Sequence, residues 1–329
     1  MPMNRFTPRS GIPMSRVLLI AIAIVTVPAP TVGQDTRQGT GDEIDADALM
    51  RDLSVLAHDS MAGRMVGSQG SDASRRWIVG RLVDLGVPVD SQVFEVERRG
   101  EVRRGVNVYA LLPGSTRDAR APFVMSAHYD HVGVRDGEIY NGADDNASGT
   151  AALLAFAEAL TRRPLERPAV LAFFDAEEGG LSGARAFVES AGARIREEVA
   201  LNVNLDMVSR SEEELWVAGT YQNPALRPVV EAVEPAEGVV LRFGHDGPAW
   251  TGSDNWSAAS DHAPFDRAGV PFLYFGVEDH PDYHRPTDDV DRVDSAWFRS
   301  SVETILRVAR ALDEAAEAVE TARSERGGR

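Results

Sequence analysis

The sequence predicts an α/β fold in which a mostly parallel mixed sheet is covered by helices on both faces. Three observations predict it. Short, nearly all-apolar segments such as "PAVLAFFDA" (168–176) and "GVPFLYFGV" (269–277) recur along the chain, as expected of strands buried on both sides. Amphipathic stretches of helical spacing lie between them, the alternation produced when crossover helices join parallel strands. Several apolar segments also run out into His, Asp or Glu, and open α/β sheets bind ligands beyond the carboxyl ends of their strands.

The elements follow in order. Residues 1–33 read as a secretory signal, with Arg5, Arg9 and Arg16 ahead of the apolar run "VLLIAIAIVTV" (17–27) and small residues up to Gly33 as a cleavage region. That run is short for a bilayer span, which needs about 20 residues; an uncleaved anchor is the alternative reading. Either way the chain is expected to be exported, secreted or periplasmic. Residues 34–45 read as a polar linker. "DADALMRDLSVLAHD" (45–59) and "SDASRRWIVGRLVDLG" (71–86) have helical spacing with Asp or Ser as caps. "VNVYALLPG" (106–114), "APFVMSAHYD" (121–130), "PAVLAFFDA" and "VALNVNLDMV" (199–208) are strands, as is "GVPFLYFGV". Helices are expected at 147–163, 181–191, 223–234 and, as one long closing element, 295–320. One domain is expected over 46–318, followed by a frayed polar tail at 319–329.

Composition narrows the function. The chain has 329 residues, 43% of them hydrophobic, and a net charge of −17. That suits a folded domain rather than a disordered acidic chain. Nucleic acid and anionic membranes are excluded as standing partners, because both need a basic face. There is no cysteine, so any zinc must be held by His, Asp and Glu. There is also no lysine, to which no function is attached.

The segments "SAHYDH", "NGADDNASGTA", "FFDAEE", "NVNLDM" and "DYHRPTDD" share one property. Each would sit at the same rim of the sheet. Singly, each has a plain explanation. Glu177 and Glu178 fit acids at the positive end of the helix near Leu181, and Asp144 and Asp145 fit a turn leading into a helix. Asp206 is harder to dismiss, since a carboxylate behind an apolar strand is costly unless paired or metal-bound. His128 and Asp130 alternate, so on a continuing strand both face one side, as a histidine ligand and its orienting carboxylate would. His131 then faces the other way and reads as a bystander. His262, in "SDHAPF", reads as structural, and Trp250 and Trp256 as packing residues. The case for a metal site is collective: five weak signals converge on one edge.

In order and spacing, "AHYDHVG", "NGADDNASGTAALL", "FFDAEEGGLSGARAF", "NLDMV" and "YHRPTDD" resemble the secreted bacterial di-zinc aminopeptidases. These belong to the metallopeptidase clan that also holds glutamate carboxypeptidase-like hydrolases and glutaminyl cyclases. The resemblance covers about 46–318 and includes the upstream "DSMAGRMVGSQG". It implies two zinc ions per chain, with His128 and Asp206 as ligands of one and Glu178 and His284 as ligands of the other. It implies Asp145 as the bridging carboxylate, although Asp144 stands where that family often has Asn and leaves open which acid bridges. It further implies Asp130 as orienter of His128, Glu177 as general base, Tyr283 as oxyanion stabiliser, and a cis peptide after Asp145. The substrates implied are peptides with a free N-terminus. Two zinc ions carry +4 against −3 from Asp145, Glu178 and Asp206, leaving room for one more anion. Three rivals stay open: a single-zinc glutaminyl cyclase-like transferase, a carboxypeptidase for acidic C-termini, and a non-catalytic binding domain on the same scaffold.

Overall fold

The computed structural model describes residues 43–98, 100–116 and 120–327; the expected signal segment and most of the expected linker lie outside them. The strands are β1 (Val89–Arg98), β2 (Glu101–Leu112), β3 (Phe123–His128), β4 (Gly133–Arg135), β5 (Glu138–Tyr140), β6 (Ala169–Phe174), β7 (Leu201–Leu205), β8 (Glu214–Ala218), β9 (Val240–Phe243) and β10 (Phe272–Gly276). Eight of them form one sheet in the order β1-β2-β6-β3-β7-β10-β8-β9, and β4 and β5 pair separately. The centre is parallel, β6 to β3, β3 to β7 and β7 to β10. Antiparallel pairings of β2 with β6 and β8 with β10 flank it. The expected mixed, mostly parallel sheet is therefore present.

Strand side chains alternate between two cores, as a period of two requires. Along β6, Ala169, Leu171 and Phe173 face a core shared with α1 (Ala46–Leu56), α2 (Gln69–Asp84), α3 (Gly149–Arg162) and α8 (Ser295–Glu314). Val170, Ala172 and Phe174 face a second core with α4 (Ser182–Ala191), α5 (Ile195–Glu198) and α7 (His262–Arg267). The short α6 (Arg227–Glu231) and the C-terminal α9 (Ala316–Gly327) complete the described helices. Caps sit where polar residues precede apolar spacing. Asp45 accepts from Ala48 N at 2.9 Å, and Ser68 Oγ accepts from Ser71 N at 3.1 Å, each satisfying an otherwise orphaned helix N–H.

Four expectations need correction. The tail is not frayed: α9 carries Val319 and Ala322 into the main core, because three-residue spacing puts both on one helical face. The long closing helix is broken at Ala315, which leaves the helical conformation (φ −87°, ψ 53°). The helix expected over 223–234 shrinks to a 3₁₀ turn and the five residues of α6. Ile44, at the end of the expected linker, packs into the core. Strand β1 went unread because half its side chains are exposed, so it carries polar and charged residues rather than an apolar run; β8 and β9 are only five and four residues long, too short to show a pattern.

Candidate metal centre

The parallel centre of the sheet decides where the polar motifs go. β3, β6, β7 and β10 run the same way, so their carboxyl ends share one edge. His128 is the last residue of β3, and Asp206 follows β7 directly. Glu177 and Glu178 lie in the turn after β6, and Tyr283 and His284 in the loop after β10. Asp144 and Asp145 occupy an irregular helical turn, Ala143–Ser148, that enters α3. The motifs are thus brought together at one rim.

Two donor groups form there. In the first, His128 Nε2 lies 3.2 Å from Asp206 Oδ1 and 3.6 Å from Asp145 Oδ1, with Glu177 close to both His128 and Asp206. In the second, His284 Nε2 lies 2.9 Å from Asp145 Oδ2 and 3.4 Å from Glu178 Oε1. Asp145 therefore turns one oxygen to each group. Four ligands about 2.0–2.2 Å from a zinc ion would be separated from one another by about 3.3 Å, and the observed separations bracket that value.

The acid left ambiguous by the sequence is engaged elsewhere. Asp144 Oδ1 accepts from Ser209 N at 2.8 Å and Ser209 Oγ at 2.7 Å, and Oδ2 meets His280 Nε2 at 3.2 Å. Asp145 is free to face the two donor groups, and its peptide bond to Asn146 is cis. Asp130 lies beyond the end of β3, yet its Oδ1 is 3.6 Å from His128 Nδ1 and accepts from Glu177 N at 2.9 Å. It links His128 to Glu177.

Two supporting residues were not singled out by sequence reasoning. Asp288, in "RPTDD", accepts from Asp144 N and Asp145 N at 3.1 Å, pinning the turn. Burial and the neighbouring Asp144 push its carboxyl up to about 6. Arg64, in "MAGRM", is completely buried and, among the described residues, donates only to carbonyls: Tyr129 O and Leu56 O at 2.8 Å, Gly142 O at 2.9 Å, and Asn141 O. It ties the segment between His128 and Asp130 to the one preceding Asp144. Burial lowers its guanidinium to about 10, against the pull of Asp145, Asp288, Asp130 and Glu178.

The rim is electrostatically lopsided. Side-chain contacts with Asp145 and Glu178 raise His284 to about 10. Burial would lower His128, but Asp206 and Glu177 hold it well above its usual value. Burial, with repulsion from Asp261, Asp206 and Glu178, pushes Glu177 well above the carboxylate range against the attraction of His128. Asp261 is fully buried with neither oxygen hydrogen-bonded among the described residues, and burial lifts it to about 8. A concentration of buried carboxylates with orphaned oxygens is costly alone and favourable around cations. The donor set, all imidazole and carboxylate, fits zinc.

The other singled-out residues divide. His262 is structural, its Nε2 2.9 Å from Trp256 O, and burial lowers it to about 4. Trp250 and Trp256 pack on the His245 ring, at centroid distances of 3.9 and 3.7 Å. His131 is no bystander, a correction to the sequence reading. It joins Asp145 and Glu178 in the second donor group, because β3 stops at His128 and strand alternation no longer governs where residue 131 points.

Known proteins resemble this chain in sequence and in fold. Leupeptin-inactivating enzyme 1 from Streptomyces exfoliatus is 28% identical over 235 residues, covering 70% of this chain and 49% of its own length. Aminopeptidase YwaD from Bacillus subtilis is 30% identical over 175 residues, 51% of this chain and 36% of its own. The chain thus spans about half or less of these curated relatives. Among solved structures, an aminopeptidase from Aneurinibacillus sp. strain AM-1 superposes with a TM-score of 0.68 at 15% identity, covering 81% of this chain and 93% of that one. A glutaminyl cyclase from Fimbriiglobus ruber superposes with a TM-score of 0.64 at 17% identity, covering 82% and 95%. These superpositions establish the shared fold. The sequence pattern of peptidase family M28 matches residues 107–309, a span holding every candidate ligand. The chain belongs to peptidase family M28.

Proposed function

We propose that this chain is a zinc aminopeptidase that removes the N-terminal residue from peptides, using two zinc ions per chain and Glu177 as general base. The reading is carried by Asp145, whose two oxygens face separate donor groups 3.6 Å from His128 and 2.9 Å from His284. His128 and Asp206 would hold one zinc, Glu178 and His284 the other, with Asp145 between them. Zinc bound there would polarise the scissile carbonyl and make water a nucleophile near neutral pH.

The side chains account for the rest. Glu177 is partly buried, fixed through its backbone N–H to Asp130, and has the raised proton affinity a base needs. It takes a proton from the attacking water and returns it to the leaving amine. Burial, Asp145 and Asp206 push the Tyr283 phenol up, so it keeps its proton and can donate to the developing oxyanion. Its ring stacks on His284 at 4.0 Å, which fixes its position. Carboxylates at the rim offer a counter-charge for the substrate's α-ammonium group, which favours attack at the first peptide bond. The apolar run at 17–27 supports export.

The rival within the fold is the single-zinc glutaminyl cyclase-like transferase; the second donor group, with Asp145 turned to both, favours two metals. Metal analysis joined to an aminoacyl-anilide assay tests the proposal. Two zinc ions per chain, and hydrolysis lost on chelation and restored by zinc, are expected. One zinc with cyclisation of N-terminal glutamine would replace it with the rival.

A further inference from the structure

This inference builds on the two-metal reading above and concerns how unequal the two metal positions are. His131 is completely buried, and neither of its ring nitrogens has a hydrogen-bond partner among the described residues. Its Nδ1 lies 2.9 Å from Glu178 Oε1 and 3.6 Å from Asp145 Oδ2. Those are the same two oxygens that face His284 Nε2 at 3.4 and 2.9 Å. Glu178 Oε1 also lacks a hydrogen bond, so its approach to His131 has the distance but not the direction of one. The two imidazoles do not stack; their centroids are 5.8 Å apart at 57°, and both aim a nitrogen at one carboxylate pair. The backbone is shaped to admit the ring. Gly142 has φ +56°, and a Cβ there would lie 2.5 Å from His131 Cδ2.

An imidazole sealed from water with neither nitrogen hydrogen-bonded is a poor core residue. The same ring beside two carboxylate oxygens at ligand–ligand separations is a good metal donor. We propose that His131 is a direct ligand of the second metal. That position then has four protein donors, His131, His284, Glu178 and Asp145. The first has three, His128, Asp206 and Asp145, with Glu177 alongside. Sites closed by four protein ligands hold their metal structurally, whereas sites with three keep a place for water or substrate. The second position is therefore the tighter anchor and the first the exchangeable, reacting one.

The test titrates the full-length protein with a competing chelator, following zinc per chain by elemental analysis, for the unmodified chain, His131→Ala and His131→Asn. Matching circular dichroism of the metal-free proteins controls for folding. The unmodified chain is expected to lose its zinc in two steps, and both variants to bind the tighter zinc at least tenfold more weakly with the other step unchanged. Both steps within threefold of the unmodified chain would overturn the proposal. X-ray absorption of the unmodified zinc protein reads the same point if the variants fold poorly. Three histidines over two ions give about 1.5 imidazoles per zinc, against about 1 without His131; the lower value overturns it. Failure of the two-metal reading has a separate signature, one zinc in the unmodified chain. Loss of that zinc in the variants would still support His131 as a ligand, and its retention would overturn both.

Discussion

The two ends of the same parallel strands treat buried charge in opposite ways. Just before β6, at the amino ends, Arg167 and Asp313 form a buried pair with Arg167 Nε 3.0 Å from Asp313 Oδ1. Asp313 also accepts from the backbone N–H groups of Glu166 and Arg167, and the guanidinium lies 4.4 Å over the Phe123 ring. Every charge there has an opposite partner within the chain. At the carboxyl ends, Asp130, Asp145, Glu177, Glu178, Asp206 and Asp261 crowd around two or three imidazoles, and oxygens of Asp130, Glu178 and Asp261 have no hydrogen-bond partner among the described residues. One end is balanced by the protein itself. The other keeps carboxylate oxygens without a hydrogen bond beside imidazoles whose proton affinity the acids raise, an arrangement that added cations would stabilise.

The difference can be broken from either side. The largest effect expected is on turnover: Glu177→Gln should lower kcat by about 10²–10⁴ while zinc content stays at the unmodified level. Because it removes one of several repelling carboxylates, the metal-free variant should melt no lower than the metal-free parent. Retained activity would remove Glu177 from its assigned role. At the balanced end, Asp313→Ala strands a buried guanidinium and should cost about 3–5 kcal/mol in denaturant unfolding, with zinc per folded chain unchanged. A fall in zinc content would mean that the two ends are not independent. Asp288→Asn loosens the turn carrying Asp145 through its backbone and leaves every candidate ligand side chain in place. It should weaken zinc binding by about 10–100-fold, the usual cost of losing an outer support, as read by chelator competition. The smallest effect is the helix cap Ser68→Ala, which should lower stability by about 1 kcal/mol and leave zinc affinity alone.

Much of this was legible because it rests on short-range patterns. The central strands are buried on both faces, so Ala169–Phe174 and Phe272–Gly276 are unbroken apolar runs that read plainly. The outer strand β1 alternates with solvent and did not, and β8 and β9 are too short to carry a pattern. The candidate ligands stood out by residue type at strand ends, and Asp145, Glu178, Asp206, His128 and His284 do meet at one rim. Asp288 and Arg64 were missed because they act on backbone groups distant in sequence. Arg64 serves carbonyls as far away as Gly142, and nothing local marks such a residue.

Residue chemistry and the spacing of apolar segments were enough for the sheet, its covering helices, and a rim rich in imidazole and carboxylate, since each depends on periods of two to four residues. Which of two adjacent aspartates faces both donor groups, and which way His131 turns, depends on where a strand stops and on hydrogen bonds between segments far apart. Asp144 is claimed by Ser209 and His280, and His131 comes inward because β3 ends three residues before it. Those outcomes arise when the chain closes on itself.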